Sequence, residues 1–237
     1  MLIQIMNLID DIALKIRKRE TPGYDRLYRI AKSIRNFEVP VITPLHGLLY
    51  RERRTRLQFW RNIIRVWYYT PLFKSRCEKV GKRVRLIGGI PLILGHLRIR
   101  LGDDVVVHGV STFSGAKVFV RPTLTVGNSS HLGYQLTINA GCDVTIGDHV
   151  LIADRVSIMS YDGHPANPAE RHLPASTQSS RPVVIEDNVW IGTGCIIMKG
   201  VRIGSNSIVA AGSVVTQKVP QDSLAIGNPA RVFPLVY

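Results

Sequence analysis

The chain has no dinucleotide fingerprint, no P-loop and no nucleophile elbow, so these routes to nucleotide and acyl chemistry are not offered by its sequence. Its three cysteines, Cys77, Cys142 and Cys195, form no CxxC pair and no zinc spacing with histidine. An uneven, unpaired cysteine set fits a reducing compartment, and a cytoplasmic location is the expectation. No run of 18 or more uninterrupted apolar residues is present, which argues against a transmembrane helix. The N-terminus is apolar first and basic afterwards, the reverse of a secretory signal.

Acid is also scarce. Lys and Arg total 31 against 17 Asp and Glu, a formal charge of +14 over 237 residues. Residues 1–80 hold 17 basic and 7 acidic residues, or +10, which leaves +4 for the remainder. Such a basic N-terminal third suits nucleic acid, an anionic membrane surface or an acidic substrate. Nucleic acid is set aside, because no interleaved aromatics or known nucleic-acid motif accompanies the charge.

Residues 1–79 read as a basic helical region. Leu2, Ile5, Met6, Ile9, Ile12, Ala13 and Ile16 recur at helical steps, and Lys15, Arg17, Lys18 and Arg19 suit the C-terminus of a helix over 1–19. This stripe is expected to pack against the rest of the protein. A second short helix is expected over 24–37, and Pro40 and Pro44 mark an irregular connection. A third helix is predicted over 51–69, with Leu57, Trp60, Ile63, Ile64 and Trp67 on one stripe among Arg51, Arg53, Arg54, Arg56, Arg61 and Arg65. Two readings of it stay open: it lies at an anionic membrane interface, or it packs as a cap on the first coil of a downstream solenoid.

From residue 80 the period changes to six. Ile185, Ile191, Ile197, Ile203, Val209 and Val215 stand six residues apart, and Val189, Cys195, Val201, Ser207, Ser213 and Val219 follow each by four. Earlier runs are Leu101, Val107 and Phe113; Val126, Leu132 and Ile138; and Ile146, Ile152 and Ile158. This period suits a triangular coil in which each hexad gives one short strand and one corner, the aliphatic residue pointing to the axis. Cys195 and Cys142 occupy the small inward position and are expected in the core. The step from Ile158 to Ile185 is not a multiple of six, so residues 161–182 are predicted to leave the solenoid as a loop.

The string Asp162-Gly163-His164-Pro165, then Glu170-Arg171, then Val184-Ile185-Glu186-Asp187-Asn188-Val189-Trp190-Ile191-Gly192, resembles the maltose/galactoside O-acetyltransferase group, as does the tail Gly227-Asn228-Pro229-Ala230-Arg231-Val232. Resemblance extends over residues 80–237 and to surface-polysaccharide O-acetyltransferases. It implies an all-β core: a left-handed parallel β-helix of hexapeptide repeats, an exception to the general right-handed rule. It implies also a homotrimer with sites in clefts between neighbouring solenoids, and acetyl-CoA as acyl donor.

Acyl transfer to a hydroxyl needs a base, a donor for the oxyanion and two held substrates. The resemblance assigns the base to His164, since a neutral imidazole is suited to accept a hydroxyl proton; His172 is the backup. It also assigns acyl-CoA contacts to Trp190, Gly192, Thr193, Ala211, Thr216, Lys218 and Arg231, with Lys218 taking the charge where Gln217 replaces a family lysine. No metal is expected. Gly133 stands where the sugar acetyltransferases have an Asn, and 172–183 contains no acid. The expected acceptor is therefore a polysaccharide, lipopolysaccharide or lipid-linked glycan precursor rather than free maltose or galactoside. The alternatives are N-acetylation of an amino sugar or antibiotic, and a membrane-associated scaffold without catalysis.

Overall fold

The computed structural model describes residues 2–236, and the side chains of Leu2 and Ile3 lie outside that description together with Met1 and Tyr237. The chain divides into two compact units, Met1–Thr55 and Arg56–Tyr237.

In the first unit, helix α1 (Leu2–Lys18) lies against α2 (Pro22–Arg35). The Thr21 hydroxyl accepts a hydrogen bond from the Tyr24 amide, and Pro22 occupies the first turn of α2, where its missing N–H costs nothing. Within this unit α2 does not bury the α1 stripe. Ile5, Met6, Ile9 and Ile12 stay exposed, because one short neighbour, itself without a buried residue, cannot cover them.

Helix α3 (Thr43–Ile64) begins eight residues before the predicted start, because Pro44 falls in its first turn and so is tolerated rather than disruptive. It passes into a π-helical segment, Arg65–Tyr69, and then α4 (Thr70–Arg76). The wider turn rotates the phase of the residues after it, so the predicted stripe does not continue inward. In the second unit Tyr69 and Phe73 pack on the core, while Trp60 and Trp67 are 54% and 80% exposed. The two tryptophans therefore do not cap the first coil of their own chain.

The solenoid is the left-handed parallel β-helix expected. Its short strands form sheets of six, eight and six members, with successive hexads feeding successive sheets. Thus Ile146 pairs with Ile185 in the first sheet, Ile152 with Ile191 in the second and Ile158 with Ile197 in the third. Each aliphatic residue of the six-residue runs is buried. Burying a residue of this size stabilises by about 1.5–3 kcal/mol, so the column holds the fold. Corners are closed by left-handed residues such as Asn188 and Asn206, whose side chains bond to each other at 3.0 Å. After the last coil, Ser223–Gly227 adds to the second sheet and Ala230–Pro234 returns antiparallel to it.

Cys195 is in the core as expected. Cys142 is only half-buried. The step from Ile138 to Ile146 is eight residues, so this corner is wider, and Ala140 and Val144 take the inward places.

Candidate active site

The 161–182 segment leaves the third sheet after Ser157–Met159 and rejoins the first at Val183–Ile185. Its root is fixed from both sides. Buried Ser160 accepts the amides of Gly141 and Cys142 through its hydroxyl, and its carbonyl accepts the Arg181 amide at 2.9 Å. Asp162 forms an ion pair with Lys199, the corner residue of the next coil. Beyond the root the chain makes two single turns, Pro168–Glu170, capped by Asn167, and Thr177–Ser179, capped by Ser176. Arg171 bonds back to the Ala166 carbonyl at 3.0 Å. His164 lies between the root and the first turn, exposed and without a hydrogen bond among the described residues. His172 is exposed on the same loop.

Five of the seven expected acyl-CoA residues fall at two corners of the coil. Gly192, Thr193 and Ala211 share the corner between the second and third sheets, where the Gly212 amide bonds the Thr193 carbonyl at 2.9 Å. Gly194 and Gly212 have φ near +72° there, a conformation open to glycine at little cost. Thr216 and Lys218 lie at the corner between the third and first sheets, in the coil after Lys199. That is the corner from which the His164 loop departs. The two groups flank the outer face of Ile196–Ile197 and Val214–Val215. Trp190, on an interior strand of the second sheet, is half exposed, and Arg231 is exposed on the terminal strand. Gly192 is buried and offers no side chain; it lets Thr193 and Ala211 approach.

One grouping was not legible in the sequence. His108 and His131, 23 positions apart, stack at 6.5 Å between ring centroids, with Tyr134 edge-on to His108 at 5.6 Å. His108 Nδ1 and His131 Nε2 are buried without partners. Burial, and then the neighbouring His108, hold the His131 pKa below its ordinary value. The only available signal was the coil length that carries one histidine over the other.

Residues 182–217 match the family model described as bacterial transferase hexapeptide (six repeats). The chain resembles the hexapeptide-repeat acetyltransferases. It is 40% identical over 126 residues to galactoside O-acetyltransferase of Escherichia coli, covering 50% of this chain and 61% of that protein. It is 36% identical over 127 residues to galactoside O-acetyltransferase of Lactococcus lactis subsp. lactis, covering 50% and 60%. The chain thus spans about three-fifths of the length of these curated relatives. In fold it is similar to AntD, an N-acyltransferase from Bacillus cereus solved with dTDP and 3-hydroxybutyryl-CoA, at TM-score 0.57, 22% identity, over 70% of this chain and 87% of that one.

Proposed function

We propose that this protein transfers an acetyl group from acetyl-CoA to a sugar hydroxyl, with His164 as general base. The observation that carries the reading is the tie between the loop root and the coil corners. Asp162 is held by Lys199, and Thr216 and Lys218 occupy the same corner one coil further on. The loop that carries His164 is rooted at the corner that also bears exposed Thr216 and Lys218, and these groups, with the exposed Arg231, suit a slender donor with phosphates. Lys218 and Arg231 have no carboxylate partner among the described residues, which leaves both cations open to an anion. Small Ala211 leaves the backbone approachable.

In the reaction, the acceptor oxygen bonds the acetyl carbon as the thioester C–S bond breaks. His164 takes the hydroxyl proton, and the CoA sulfur leaves and is protonated to the thiol. Base catalysis of this kind contributes about 10²–10⁴-fold. The acceptor we propose is a polysaccharide, lipopolysaccharide or lipid-linked glycan precursor. A side chain at Gly133 has no room, since a Cβ there would stand 2.6 Å from the Ala153 carbonyl group. An acceptor-reading residue of the sugar-enzyme type therefore cannot be accommodated at this place. The assembly we propose is a homotrimer, in which a neighbouring solenoid completes each cleft; a stable active monomer in sedimentation equilibrium would exclude it.

The test is acetyl-CoA turnover by purified protein against sugars, nucleotide sugars, amino sugars and isolated surface glycans, with products identified by mass. The expected result is an O-acetylated glycan, and a loss of at least about 10²-fold in kcat for His164→Ala with the oligomer unchanged. Acetylation confined to amines would favour the N-transfer alternative, and near-normal turnover by the variant would remove His164 from the base role.

A further inference from the structure

The Arg56–Tyr237 unit contains a cavity far from the His164 loop in the order of coils. It lies between the end of α3 with its π-helical continuation and the first coil, and its volume is about 580 Å³. Gln58, Arg61, Asn62 and Arg65 line one side, Arg85 and the Gly88–Gly89 turn the other. No carboxylate lines it. None of Arg61, Arg65 and Arg85 is in an ion pair among the described residues, and the Arg65 Nε is buried with no hydrogen-bond partner. An unpaired buried guanidinium N–H is costly, so this group is built to meet an acceptor that arrives from outside. Three guanidinium forks around one space fit an oxyanion with several acceptor atoms, and phosphate above all.

The helix beside the cavity indicates the source of that phosphate. Phe59, Trp60, Trp67 and Tyr68 are exposed around Arg61 and Arg65. Residues 56–77 carry Arg56, Arg61, Arg65, Lys74 and Arg76 and no acid. A second copy docking here would set these cations against their own kind. A water-soluble phosphate would use the arginines and leave the aromatic rings in water. A bilayer surface uses both, with indole and phenol rings at headgroup depth and cations at the phosphate plane.

We propose that residues 56–76 dock on an anionic phospholipid surface, with a lipid phosphate seated between Arg61, Arg65 and Arg85. No helix among the described residues is long and apolar enough to cross a membrane, so the attachment is peripheral. The proposal is independent of the acetyl-transfer reading.

The experiment is flotation of the full chain with vesicles of phosphatidylcholine alone or mixed with phosphatidylglycerol, at low and high salt. Binding is expected only to the mixed vesicles and should weaken as salt rises. The R61Q/R65Q/R85Q variant should partition about 100-fold less, from roughly fivefold per cation near the surface. The R26Q/R29Q/R35Q variant, with the same charge removed at residues that do not line the cavity, should lose clearly less. Circular dichroism and thermal unfolding check that the variants fold. On the unaltered chain, brominated lipid should quench tryptophan emission, and Trp67→Phe should reduce that quenching. Absence of flotation at low salt overturns the proposal, as does binding of inorganic phosphate by a chain that ignores vesicles. Equal losses in the two triple variants overturn the cavity as the phosphate seat, and Trp67 shielded from acrylamide without lipid overturns the bilayer as its cover.

Discussion

A Cβ placed on Gly192 would lie 2.6 Å from the backbone nitrogen of Ala211, closer than any ordinary contact. The two positions are stacked corners of successive coils, and the smallness of the first sets how near Thr193 comes to the second. Gly192→Ala is expected to destabilise by about 1–3 kcal/mol through overpacking, read as a lower Tm or denaturant midpoint. An unchanged midpoint would mean that the corner relaxes freely and that Gly192 does not set the spacing.

The Asp162–Lys199 pair is partly exposed, at 42% and 30%, so it contributes little to global stability. Its effect should be on the loop that carries His164. Asp162→Asn and Lys199→Met are each expected to lower kcat about tenfold while leaving Tm within the scatter of surface substitutions. If both keep full turnover, the loop is held in place by the Ser160 contacts at its root without the ion pair.

Burial raises the pKa of the Cys195 thiol and pushes that of Cys77 up to about 11. Neither is a thiolate near neutral pH, so neither is equipped to attack a thioester. Native protein at pH 7.5 should resist iodoacetamide at both positions, and Cys195→Ala should retain most of its turnover. A stable acetyl adduct on Cys195 in mass spectrometry would instead establish an acyl-enzyme.

His131 titrates below its ordinary value of 6.5 in the folded state, chiefly through burial. The unfolded chain therefore binds more protons than the folded chain between the two values. Stability from this residue is present above pH 6.5 and declines as pH falls from there towards the folded pKa. Unfolding midpoints measured between pH 7.5 and 5 should fall towards acid, and His131→Gln should flatten that slope. An identical slope in the variant would assign the acid sensitivity to another group.

The solenoid was legible because its determinants are local and repeated. Every coil must bury one aliphatic residue per face, and Ile185 to Val215 state this six times at a fixed step. The 161–182 loop was legible as the break in that step. Cys142 was misplaced because a corner two residues wider shifts the inward positions without removing any aliphatic residue.

Along residues 1–237 the sequence by itself determined the coil, its period, the loop and the helical character of the N-terminal third, since these depend on side-chain spacing. It did not determine which side of the Arg65–Tyr69 segment turns inward, because a π-turn changes phase without changing composition. Tertiary structure alone brought His108 over His131, tied Asp162 to Lys199 across 37 positions, and gathered Arg61, Arg65 and Arg85 around one cavity. Those juxtapositions depend on coil stacking and helix docking, which place residues by distance in space rather than by any period along the chain.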